Sequence, residues 1–194
     1  MGKTVKSAGF AIEQLPTEYG IMDLGLPHAA EIITAEVLQA RVAPSSNPGF
    51  DVYQSELFPG LTFQVKLAQA REQEGAVRII KGRTCVLNAS PTWAWSEAHA
   101  LGADWYVLFG VKDGTVYPFA VPVFIWHEES YDTGTGGRFL SISCDQYSKC
   151  GRHVRSYKRN KFWQYRIPKW PDGLLARVAF YSKHGNVVQL QLSA

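Results

Sequence analysis

Apolar and polar positions alternate most regularly over residues 61–68, where Leu61, Phe63, Val65 and Leu67 are apolar and Gln64 and Lys66 stand between them. A period of two marks a strand with one buried face, so this segment predicts a β-strand that sends Gln64 and Lys66 to the same opposite side. A partner strand is expected over 50–57, with Pro59 and Gly60 as the turn between the two. Further strand pairs are read at 76–80 with 84–87, around Lys81 and Gly82, and at 104–111 with 115–125, around Asp113 and Gly114. Helical spacing appears at 26–42, with Pro27 in the first turn and Ile33, Val37 and Ala40 on one face, and again at 92–101. Residues 1–25 read as an irregular arm, 43–49 and 131–137 as loops, and the remainder as short strands. The expected fold class is α/β (α+β), a central mixed β-sheet flanked by two helices in a single domain over 1–194.

Composition supports a folded core. Of the 194 residues 46% are hydrophobic and 19% charged, and Phe, Trp and Tyr number 10, 6 and 9, which is far from the make-up of a disordered tract. The longest apolar run, 116–126, is interrupted by Pro118 and Pro122 and is shorter than a membrane-spanning helix requires. The start of the sequence lacks an apolar signal core, and Lys6 stands where a myristoylation motif places Ser or Thr. A cytoplasmic protein with no membrane partner is expected. Cys85, Cys144 and Cys150 are too few, and odd in number, for a disulfide framework.

Charge changes the picture more than composition does. The formal net charge is only +3, yet 149–170 carries Lys149, Arg152, Arg155, Lys158, Arg159, Lys161, Arg166 and Lys169 with no carboxylate, leaving 12 cations against 17 acidic residues elsewhere. Tyr157, Phe162, Trp163, Tyr165 and Trp170 lie among these cations, as rings that either stack on bases or pack into the core. Unrelieved like charge at this density favours a polyanion as partner, so this segment is expected to contact nucleic-acid phosphates, with Lys149, Arg152, Arg155, Lys158, Arg159 and Lys161 as the contact residues.

The chemistry is expected on the Gln64–Lys66 strand. If Phe58 and Leu61 close the turn, Asp51 falls opposite Ala68, on the face of Lys66, while a one-residue slip would move it to the other side. A carboxylate, an amide oxygen and an ammonium at one end of a hairpin suit phosphodiester cleavage. The oxygens would hold Mg²⁺, and the lysine would orient or help deprotonate water and stabilise the phosphorane charge.

Gly49, Phe50 and Asp51, followed by Phe63, Gln64, Val65 and Lys66, resemble the core of the PD-(D/E)XK nuclease superfamily, which includes type II restriction endonucleases and Holliday junction resolvases. The resemblance spans 31–66, with weaker support from 103–111. It implies a restriction-endonuclease-like fold in which Asp51 and Gln64, joined by Glu31 from the preceding helix, hold Mg²⁺ (Mn²⁺ substituting) and Lys66 completes the catalytic set. Gln64 replaces the usual second acid, which removes one negative charge from the metal site. Glu36 competes with Glu31, because it borders the apolar stripe of the helix more closely. The implied product ends are 5′-phosphate and 3′-hydroxyl.

A type II restriction endonuclease acting as a homodimer on double-stranded DNA is the favoured expectation, since one compact catalytic unit needs a second copy to cut both strands of a symmetric site. A repair nuclease or junction resolvase is the nearest alternative, and a non-catalytic nucleic-acid-binding protein with a decayed site is the alternative from another class. Cys144, Cys150 and His153, with His127, lack the Cys-x2-Cys knuckle of common zinc sites. Gly134–Gly137 lacks the Gly-Lys-Ser/Thr of a phosphate loop. Trp93, Trp95, Trp105 and Trp126 are expected in the core.

Overall fold

The structure, a computed structural model, describes residues 10–11, 26–44, 49–72, 77–80, 83–86, 91–97, 102–134, 137–145, 147–149, 157–159 and 161–192. In chain order the elements are β1 (Phe10–Ala11), α1 (Leu26–Val37), β2 (Arg41–Val42), β3 (Val52–Tyr53), β4 (Phe63–Gln69), β5 (Val77–Ile80), β6 (Arg83–Val86) and β7 (Thr92–Glu97). There follow β8 (Trp105–Lys112), β9 (Thr115–Pro122), α2 (Val123–Glu129), β10 (Tyr131–Asp132), β11 (Arg138–Ser143), β12 (Tyr147–Lys149), β13 (Tyr157–Arg159), a 3₁₀ turn (Lys161–Tyr165) and α3 (Asp172–Leu192).

The main sheet has the order β1-β9-β8-β4-β3-β2 and is mixed: β4 and β8 run parallel, and the other neighbours run antiparallel. Helices flank this sheet, as the sequence predicts. Its two faces bury different things because side chains alternate along each strand. Phe63 and Val65 of β4, with Trp105, Val107 and Phe109 of β8, pack against Ala30, Ala35 and Leu38 near α1 and Leu174 and Val178 of α3. The opposite face, carrying Ala68, Tyr106, Leu108, Phe119 and Val121, is covered by α2 and by Trp93, Trp95, Leu140 and Ile142 of a second sheet ordered β10-β11-β7. Strand β8 is therefore buried on both sides from Trp105 to Val111.

The β8–β9 hairpin closes through Asp113 (φ 50°) and Gly114 (φ 69°), two consecutive left-handed residues that match the twist of the flanking strands. Several expectations need correction. The helix expected over 26–42 stops at Val37, because Gln39 turns left-handed (φ 47°), with Ala40 N–H donating to Ala35 O (2.8 Å) and Gln39 N–H to Glu36 O (3.0 Å), a Schellman end. Residues 123–125, expected at the end of a strand, open α2. The segment 92–101, read as a helix, instead begins with strand β7: Trp93, Trp95 and Glu97 are buried while Ser96 is exposed, a period of two. Helix α3, unforeseen, occupies ground expected to hold short strands.

The hairpin before β4 also differs. The Pro59–Gly60 turn forms, with Leu61 N–H donating to Phe58 O (3.2 Å) and Gly60 at φ 84°, yet the partner strand is only Val52–Tyr53. Gln54 at φ 53° ends the strand, and buried Ser55 then donates to Leu38 O (2.5 Å) and accepts from Phe58 N–H (3.0 Å), pulling residues 54–58 toward the end of α1. Val52 consequently faces Phe63, which sets Asp51 against Gln64 rather than Ala68. The shift is an even number of residues, so Asp51 keeps its face.

Candidate active site

Asp51 stands just before β3, held by its own backbone: its N–H donates to Phe63 O (2.9 Å) and its carbonyl accepts from Ala43 N–H (2.7 Å). A close backbone approach fixes the chain in front of it, since a Cβ at Gly102 would lie 2.8 Å from Gly49 Cα. The start of the parallel pair is clamped as well. Asp104 Oδ2 accepts from the backbone N–H and the hydroxyl of Thr62, both at 2.8 Å.

Within this frame the Asp51 carboxylate accepts from Gln64 Nε2 (2.5 Å) and from Val65 N–H (2.7 Å), both through Oδ2. Lys66, two residues along β4 on the same face, places Nζ 2.9 Å from Glu97 Oε2. Glu31 lies on α1, half-buried, with His28 Nδ1 at 3.0 Å from its Oε2. Asp51, Gln64 and Lys66 thus share one face of the sheet, and Glu31 on α1 lies near enough for the charges of Asp51 and Lys66 to act on it. Glu36, the competing acid, is exposed on α1.

The electrostatics follow from burial. Desolvation raises the Glu31 carboxyl above its ordinary range, and the negative charge of Asp51 raises it further, while His28 and Lys66 oppose the shift. Desolvation also raises Asp51, and the charge of Glu97 adds to it, against the Val65 N–H and Lys66, which favour the ionised form. Tyr106, opposite Gln64 on β8, is raised by burial and by the charges of Glu97 and Asp51, so its phenol stays protonated at neutral pH. Its ring stacks on Trp126 with centroids 4.3 Å apart.

Glu97 is the member that sequence reasoning missed. Reading 92–101 as a helix hid it. The available signal was the Thr-Trp-Ala-Trp-Ser-Glu alternation, which sets a carboxylate third in a row of inward tryptophans.

The predicted DNA contacts divide differently. Lys149, Lys158 and Arg159 lie on the β12–β13 hairpin, in which Lys149 pairs with Tyr157 and Ser148 with Lys158. Lys161 is exposed at the head of the 3₁₀ turn. Arg152 and Arg155 lie outside the described residues, as do Cys150 and His153. Cys144 is buried, its thiol pushed up to about 11 by desolvation, and His127 is exposed. Of the rings in the basic segment, Phe162 and Trp163 are core residues, Trp163 donating to Ser143 O (3.1 Å), and Arg166 sits 5.3 Å from the centroids of both Tyr117 and Trp163.

No protein-family model matches the chain, and no curated protein matches it. The donor set is the remaining guide to a metal. Among the described residues no three His, Cys, Asp or Glu side chains are grouped as a ligand cage. Mg²⁺ does not require one, since it takes one or two carboxylates, keeps several waters and shares substrate phosphate oxygens. Asp51 and Glu31, which repel each other, with the Gln64 amide oxygen, fit that sparse pattern.

Proposed function

We propose that the protein is a Mg²⁺-dependent DNA endonuclease of the PD-(D/E)XK type, a homodimeric type II restriction endonuclease cutting double-stranded DNA. The observation that carries this reading is the meeting of Asp51, Gln64 and Lys66 on one sheet face, with Gln64 and Asp51 in direct contact and Glu31 close enough to feel the Asp51 charge. The central mixed sheet with parallel β4 and β8 agrees with the fold that the resemblance implies.

Asp51, Glu31 and the Gln64 carbonyl would hold the ion. Bound there, Mg²⁺ would supply charge neutralisation at the scissile phosphate and lower the cost of deprotonating water. In the reaction a water oxygen bonds to phosphorus in line with the P–O3′ bond that breaks, one proton leaves the water, and the departing O3′ takes one up. Lys66 orients the water and stabilises charge on the phosphorane. The hairpin cations and Lys161 would neutralise backbone phosphates, an interaction that weakens as salt rises.

Incubation with plasmid and Mg²⁺ tests the proposal. Discrete fragments, abolished by EDTA, by Asp51→Ala and by Lys66→Ala, are the expected result. Preferential cutting of a four-way junction over linear duplex would transfer the same site to a resolvase. Salt-sensitive DNA binding with no cutting in Mg²⁺ or Mn²⁺ would overturn catalysis and leave the binding-protein reading.

A further inference from the structure

We propose that Glu97 is a positioning residue of this site, holding the Lys66 ammonium on the face shared by Asp51 and Gln64 and away from the Asp51 carboxylate. The proposal rests on the nuclease reading for what Lys66 does and not for where Lys66 is held.

Lysine is a point charge on a flexible four-carbon stem, and nothing in β4 alone dictates where its amine rests. The nearest opposite charge along the strand pair is Asp51, and an ammonium that settled there would neutralise the carboxylate a cation needs. Instead Nζ lies 2.9 Å from Glu97 Oε2, a carboxylate delivered from the second sheet. Glu97 is well placed to fix it. Its strand is anchored by Trp93 and Trp95, 0% and 2% exposed, and it pairs with Arg138 at the end of the β7–β11 ladder.

Burial separates this pair from an incidental surface contact. The Glu97 side chain is 8% exposed and that of Lys66 22%. A carboxylate so removed from water is costly, and a buried ion pair serves stability no better than an apolar pair of the same volume. Geometry is what the pair supplies: a rigid strand of one layer holds the one flexible cation of the site in another. Its charge also reaches Asp51, whose carboxyl it helps to raise, so Glu97 belongs to the same electrostatic unit.

Two readouts test the inference. With lysine ¹³C-labelled at Cε, an immobilised Lys66 shows two resolved geminal Hε signals in the parent, which merge in Glu97→Gln and persist in Glu97→Asp and in the control Glu36→Gln. In plasmid cleavage, Glu97→Gln lowers kcat about 100-fold with KM for DNA unchanged, the scale of an ångström-sized misplacement, and Glu97→Asp recovers part of the loss. Merged Hε signals in the parent, or resolved signals that survive in Glu97→Gln, overturn the proposal. So does parental kcat in Glu97→Gln. Should Glu97→Gln fail to fold by circular dichroism, Glu97→Asp decides: resolved signals support the inference, and merged signals overturn it. A parent that cuts no DNA while the NMR pattern holds refutes the nuclease reading and leaves the placement of Lys66 by Glu97 intact.

Discussion

Asp51 and Glu31 are half-buried carboxylates within reach of each other's charge, and both hold their protons more tightly in the folded chain than an ordinary side chain does. The folded values are raised, so each group's contribution to stability is fully present below the ordinary carboxyl range and is lost as pH rises through the raised folded values. The metal-free protein therefore carries a local destabilisation at neutral pH. Replacing Glu31 by Gln, which keeps a partner for His28 and removes the repulsion, should raise stability in EDTA by about 0.5–1 kcal/mol at pH 7. Urea melts across pH check this: the gap between variant and parent should widen as pH climbs above the ordinary Glu value of 4.5 and close below it. A variant less stable than the parent at pH 7 would contradict the account. Gln64 and Lys66 could be placed on one face from sequence because alternation along a strand needs no knowledge of its neighbours, whereas Asp51 keeps that face because the true register differs from the expected one by an even number of residues. Glu97 could not, because its relevance depends on the packing of one sheet upon another.

Among the elements, β7 matters most, since it carries Glu97 and roofs the sheet face behind the site. Its seat depends on Gly110 of β8, where a Cβ would lie 2.5 Å from the Trp93 indole. Gly110→Ala should therefore cost about 1–3 kcal/mol by overpacking. Denaturant unfolding measures the loss, and a change below about 0.5 kcal/mol would mean that Trp93 does not press on β8 as described. Strands β4, β8 and β9 were legible in the alternation and in the Asp113–Gly114 turn. The strand paired with β4 was not, because Gln54 takes a left-handed conformation and Ser55 hydrogen-bonds to the end of α1, a tertiary contact that no local pattern encodes. The extent of α1 was hidden for a similar reason. Its end rests on a glutamine, where glycine or asparagine would have announced the stop. In β7 two tryptophans and an alanine satisfied a helical spacing as readily as a period of two, and pairing with β11 decided between them.

At the scale of the molecule, two apolar layers enclose a mixed sheet, and the acidic and basic parts of the chain have separate tasks in the proposed reaction. The carboxylates come from the residue before β3 (Asp51), from α1 (Glu31) and from β7 (Glu97), while the cations of 149–170 begin on a hairpin of their own. Charge segregation was plain in the sequence. The fate of the interleaved rings was not, and Phe162 and Trp163 belong to the core. No helix among the described residues is long and apolar enough to cross a membrane. Everything functional in this account turns on whether Asp51, Gln64 and Glu31 bind a divalent cation beside Lys66. Calorimetric titration of Mn²⁺ into the metal-free protein, with Asp51→Ala run in parallel, addresses that directly. The account predicts saturable binding to the parent that disappears in Asp51→Ala, with a matching rise in parental stability of about 2.7 kcal/mol at a hundredfold excess over Kd. Absence of binding to the parent, or equal binding to a folded Asp51→Ala, would contradict it.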